Sequence, residues 1–115
     1  MKKLILLASF IFCILHAPVD TIHTSIILGF SQTNDPTQGW NIYNVNGNPL
    51  KNDAWSDYPS WGINAHELFI NCNLFGRPPS YPYRGTYIQQ IDLQKGYDGD
   101  PLDMKTWSGF NDTVF

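Results

Sequence analysis

The sequence predicts an all-β domain, a small antiparallel β-sandwich or partial jelly roll of about five strands with long loops, behind an N-terminal signal peptide. Three observations carry that expectation. The acidic residues are nine aspartates against a single glutamate, Glu67, and asparagine is plentiful. Asn, Asp, Gly and Pro favour turns, whereas helices favour Ala, Glu, Leu and Lys, and beyond residue 17 the only alanines are Ala54 and Ala65. Aromatic and β-branched residues alternate with polar ones in several short runs, the period-two pattern of half-buried strands.

With 115 residues the chain has room for one domain. It opens on Met1-Lys2-Lys3 and an apolar run, Leu4 to Leu15, broken only by Ser9. A charged start and about a dozen apolar residues form the n- and h-regions of a signal peptide. A spanning helix needs about 20 apolar residues, and His16, Pro18 and Asp20 close this run before that length, which leaves a signal anchor as the lesser alternative. Ile22, Thr24, Ile26, Leu28 and Phe30 then alternate with His23, Ser25, Ile27 and Gly29 as a strand. A strand belongs to a domain, so cleavage is placed near Ala17, giving residues 1–17 as leader and 18–115 as a single β domain.

Trp40 to Val45 is the next strand, and the Asn46-Gly47 dipeptide behind it suits a two-residue hairpin turn, with Pro49 marking an edge in the returning segment. His66 to Phe75 is the clearest strand: Leu68, Ile70, Cys72 and Leu74 share one face, and Glu67, Asn71 and Asn73 the other. Thr86 to Leu93 places Tyr87, Ile91 and Leu93 opposite Thr86, Gln90 and Asp92. Thr106 to Phe115 is a last strand of open register. Residues 31–39, 48–65, 76–85 and 94–104 read as long connections. The chain stops on Thr113-Val114-Phe115 in what reads as mid-strand, so a C-terminal truncation stays open.

Charge and cysteine content exclude several classes. Residues 18–115 carry five Lys/Arg against ten Asp/Glu, a formal charge of −5. Nucleic-acid binders need clustered cations to neutralise phosphate, and anionic membranes attract polybasic segments; this balance fits neither. Cys13 leaves with the leader, and Cys72 lies on the apolar face of its strand, which makes it a buried, inert thiol.

No catalytic motif or cofactor loop stands out; a Ser-His-Asp arrangement around His66 stays open, but no nucleophile-elbow pattern supports it. His66-Glu67 lacks the second histidine of a zinc-protease helix, because the fifth position is Ile70. Asp98, Asp100 and Asp103 are a lesser Ca²⁺ candidate, outweighed by a solvated acidic turn since Pro101 restricts their convergence. Pro78-Pro79-Ser80-Tyr81 has the form of a polyproline ligand, but the domains that take such ligands are cytosolic and a signal peptide sends this segment to the lumen, so a stiff inter-strand loop is the preferred account. Asn111-Asp112-Thr113 is a glycosylation sequon, with Asn111 as the acceptor.

The aromatic residues are the most suggestive feature. Trp55, Tyr58 and Trp61 recur every three residues among Asp and Ser, and Tyr81 and Tyr83 sit in the proline-rich loop. Rings on loops beside short polar side chains suit recognition, and roofing a thin core is the competing use. The expectation is a secreted or surface-exposed, non-enzymatic module binding an extracellular glycan or protein, without cofactor and without membrane insertion after processing. The alternative is the N-terminal fragment of a larger secreted hydrolase or a surface or viral glycoprotein. Oligomeric state is left open. Processing is directly testable: intact-mass measurement on secreted material should show residues 4–15 absent, and retention of Met1 would favour the signal anchor.

Overall fold

A computed structural model describes residues 23–110 and the backbone of 5–8. The elements are β1 (Ile5–Ala8), β2 (Ser25–Ser31), β3 (Trp40–Asn46), β4 (Trp55–Ile63), β5 (Glu67–Phe75), β6 (Tyr83–Asp92), α1 (Leu93–Asp98) and β7 (Met104–Ser108). They make two antiparallel sheets, β1-β2-β3 and β4-β5-β6-β7. Strands are neighbours in chain order within each sheet, a pair of meanders without the crossover a jelly roll requires. Ile5–Ala8, within the apolar run read as a leader, lies opposite Ile27–Phe30 of β2. Ala17, Cys13 and Asn111 lie outside the described residues.

Alternation decides which faces meet. In β5, Leu68, Ile70, Cys72 and Leu74 are buried, and the intervening residues are half-buried on the opposite face. In β6 the matching positions are Tyr87 and Ile91, cross-strand from Cys72 and Leu68. From the other sheet Ile26, Leu28 and Phe30 of β2 and Val45 of β3 join the same apolar cluster. Each such side chain removed from water contributes about 1.5–3 kcal/mol. Two polar links tie the layers at one end: Tyr87 donates its hydroxyl to the Gly47 carbonyl at 2.8 Å, and Ser56 bonds Thr24 at 3.1 Å.

Four expectations are corrected. Residues 48–65 are not one long connection, because Trp55–Ile63 forms β4. Asn46-Gly47 makes no hairpin: the Gly47 amide bonds back to the Thr24 carbonyl at 2.8 Å, and the chain crosses to the second sheet. The connection 94–104 begins with α1, capped by the Asp92 carboxylate accepting from the Gln94 amide at 2.8 Å and ended by Gly99 at φ 75°. The strand expected over Thr106–Phe115 begins earlier, at Met104, and runs to Ser108 among the described residues, with 111–115 lying outside them.

Helix α1 lies on the first sheet. Asn41 donates to the carbonyls of Gly96 and Tyr97, and the Tyr43 hydroxyl donates to the Asp100 carbonyl at 2.8 Å. Phe30 packs edge-on to both Tyr43 and Tyr97. A Cβ on Gly96 would lie 2.5 Å from the Phe30 ring, so glycine is required by contact and not by backbone conformation.

Gly96→Ala therefore reverses the usual sign. Helix propensity alone would favour alanine by about 1 kcal/mol, but overpacking against a buried ring costs about 1–3 kcal/mol. The variant should unfold at lower urea concentration than the parent, and a raised midpoint would contradict the packing. Cys72 is 1 % exposed, and burial pushes its thiol up. A thiol reagent should label it slowly in the native state and rapidly in denaturant; equal rates would contradict its burial.

Candidate functional site

The second sheet has an outer face, away from the shared core, and its composition follows from the register. Trp55 pairs with Phe75, and Phe75 with Tyr83, so three rings from three adjacent strands share one end of that face. Trp55 and Phe75 have ring centroids 5.9 Å apart, as do Phe75 and Tyr83. Tyr81 adds a fourth ring, edge-on to Trp55 at 6.3 Å. Tyr81 and Tyr83 are each about half exposed, whereas Trp55 and Phe75 are half-buried beneath them.

The 76–82 connection presents Tyr81. It is closed by the Gly76 amide donating to the Pro82 carbonyl at 2.8 Å and by the Tyr81 amide reaching the Arg77 carbonyl at 3.2 Å. Tyr81 itself takes φ 46°, and the Pro78–Pro79 bond is cis. Arg77 is anchored outside the loop by a 2.9 Å ion pair to Asp53, ahead of Trp55. That pair is substantially exposed, so it orients the segment more than it stabilises the fold.

Polar groups flank the rings on the same face. The Tyr83 hydroxyl lies 2.6 Å from the Thr86 hydroxyl, which donates to Asn73 Oδ1 at 2.7 Å. Asp57 is cross-strand from Asn73, and Asn71 from Ile88. At the far end of the face Glu67, Gln90, Asp92, Asp103, Met104 and Lys105 line an open depression of about 320 Å³. Gln90 bridges this region, donating to Glu67 and accepting from the Trp107 indole.

Of the five aromatic residues singled out in the sequence, three come together here: Trp55, Tyr81 and Tyr83. Tyr58 and Trp61 do not join them. The β4–β5 register slips by one residue between Asp57 and Ser60, with Tyr58 at φ 49° and largely exposed. A bulge of one residue exchanges the faces of everything beyond it. Trp61 thus pairs with Ile70 on the core side, at the strand's exposed margin, instead of sharing the face of Trp55. Phe75 was overlooked, although odd-numbered parity with Asn71 and Asn73 was the signal that could have found it.

The other candidates are not gathered. Asp100 approaches Lys95 at 3.7 Å, Asp98 accepts from Gln94 at 2.8 Å, and among the described residues no three acidic, histidine or cysteine side chains are grouped to hold a metal ion. Among the same residues no helix is long and apolar enough to cross a membrane. No family model, curated protein or solved structure matches this chain. The described fold is predominantly β, with two antiparallel sheets enclosing one core.

Proposed function

We propose that this is a secreted or surface recognition module that binds an extracellular glycan or protein through the aromatic end of its outer sheet face. The observation that supports this reading is the continuous row Tyr81, Trp55, Phe75 and Tyr83, drawn from three strands and a closed loop and left accessible at both tyrosines. Such rings give large contact area at low conformational cost. Asp57, Asn73 and Thr86 beside them offer donors and acceptors for hydroxyl or amide groups of a ligand. Export is supported by the Lys2-Lys3 start and the apolar run that follows. Tyr58 and Trp61 belong to a separate part of β4 and are not required for this surface.

The test is a glycan array and a capture screen against extracellular proteins, followed by titration of any hit through tryptophan fluorescence. Trp55→Ala should weaken binding at least about tenfold, a loss of about 1.4 kcal/mol. Its unfolding midpoint should fall less than that of a fully buried tryptophan, whose truncation costs about 3–5 kcal/mol. Trp61→Ala should leave affinity unchanged. Equal loss in both variants would overturn the assignment to the outer face, and stability lost without any change in affinity would reduce the rings to packing.

A further inference from the structure

We infer that Asn46 is a conformation-gated modification site, whose side-chain amide converts to aspartyl and isoaspartyl forms when the end of β3 opens and is held unreactive while the fold is closed. Asn46-Gly47 is the one Asn-Gly pair in the sequence. Glycine has no Cβ, so its amide nitrogen reaches the preceding side chain unhindered. That nitrogen loses its proton to hydroxide and attacks Asn46 Cγ. The new C–N bond closes a cyclic succinimide as the bond to Nδ2 breaks, and ammonia leaves. Water then adds to one ring carbonyl or the other, giving aspartate or isoaspartate at position 46.

The closed fold withholds the reacting atoms. The Gly47 amide donates to the Thr24 carbonyl at 2.8 Å, one step beyond the Ser25·Asn46 pair of the β2–β3 ladder. The Gly47 carbonyl accepts from the Tyr87 hydroxyl at 2.8 Å, and Asn46 Oδ1 accepts from the Asn48 amide at 2.9 Å. Ring closure requires the Gly47 nitrogen to swing beside the Asn46 side chain, a rotation away from the extended backbone of β3. Both Gly47 bonds must break before that rotation. Asn46 itself is exposed, so water and hydroxide already reach it, and geometry rather than burial holds the reaction off.

The two products differ in whether the fold can close again. Aspartate leaves the main chain unchanged, and its carboxylate can still accept from the Asn48 amide. Isoaspartate routes the main chain through the former side chain and inserts a methylene ahead of Gly47. The surroundings of Gly47 leave no space for that shift: a Cβ there would stand 2.5 Å from Thr24 Oγ1 and 2.6 Å from Ser56 Oγ. These same hydroxyls bond each other across the two sheets. Isoaspartate therefore displaces Gly47 from both Thr24 and Tyr87. An opening that would otherwise reverse becomes permanent.

The experiment is incubation of the full chain at mildly alkaline pH, native and in urea, with peptide mass spectrometry and chromatographic separation of the aspartyl and isoaspartyl forms. In urea Asn46 should convert faster than any other asparagine. The native rate should be at least about tenfold lower, because the opened fraction limits it. Tyr87→Phe, which removes the donor to the Gly47 carbonyl, should raise the native rate about fivefold and leave the rate in urea unchanged. Should that variant fail to fold, the parent in urea below its unfolding midpoint should show the same acceleration. After removal of urea, isoaspartyl chains should lack hydrogen-exchange protection at the Gly47 amide, whereas Asn46→Asp should retain it. Equal rates in the native and unfolded chain, a folded Tyr87→Phe with the parental rate, or full protection in the isoaspartyl form would each overturn the proposal.

Discussion

The fold depends on burying one apolar layer between two small sheets, with Cys72, the one described cysteine, a free thiol. Small domains commonly offset a thin core with cross-links or bound metals. Here large and branched side chains fill that role: Phe30, Tyr87, Ile70 and Leu68 are fully buried, and α1 closes over Phe30 because Gly96 has no Cβ to hold it away. The polar atoms that enter this layer are placed accordingly. The Tyr87 hydroxyl, whose ionisation burial strongly disfavours, spans the gap to the Gly47 carbonyl and so joins β6 to the end of β3. Gln89 and Asn48 are the exceptions among the described residues, each with a side-chain oxygen buried without a partner, that of Gln89 beside Ile70. Such a group costs about 1–3 kcal/mol, a penalty the surrounding apolar burial must exceed.

What was legible in the sequence follows from that same layer. Strands β2, β5 and β6 were legible because period two coincides with burial on one side: Leu68, Ile70, Cys72 and Leu74 oppose Glu67, Asn71 and Asn73, and Tyr87 and Ile91 oppose Thr86, Gln90 and Asp92, as expected. Leu93, by contrast, opens α1, and β6 begins at Tyr83, inside the stretch expected as a connection. β4 was hidden. Pro59, Gly62 and the surrounding Asp and Ser residues carry turn chemistry, and the bulge breaks the alternation that would have revealed a strand. The Asn46-Gly47 turn failed for a different reason. Local preference for a hairpin is real, but tertiary pairing of Gly47 with Thr24 overrides it. Helix α1 spans six residues, too short for a 3.6-residue period to register, although Asp92 and Gly99 in retrospect are its two caps.

The aromatic site was half legible for a related reason. Composition revealed that rings and short polar residues cluster near residues 52–62 and 76–85, but proximity in sequence is not a shared face. Trp55 and Trp61 are an even number of residues apart and would lie on one side of an unbroken strand. One extra residue at Tyr58 separates them, and the position that completes the row, Phe75, comes from β5, whose core-facing neighbours drew the eye to the opposite parity. The row is therefore a product of register among three strands, which no local window contains.

The two bulge effects in β4 also have to be read together. The irregularity that removes Trp61 from the outer face of the sheet equally spoils β4 as a template for another strand, so one local distortion both limits the aromatic row and guards the edge next to it. β3, in the other sheet, has the opposite character: its regular ladder keeps Val45 in the core and Asn41 and Tyr43 under α1. A bulge there would exchange these side chains with Ile42 and Asn44 and undo the seat of the helix. The packing demanded on one side of β3 thus keeps its ladder regular along the whole strand.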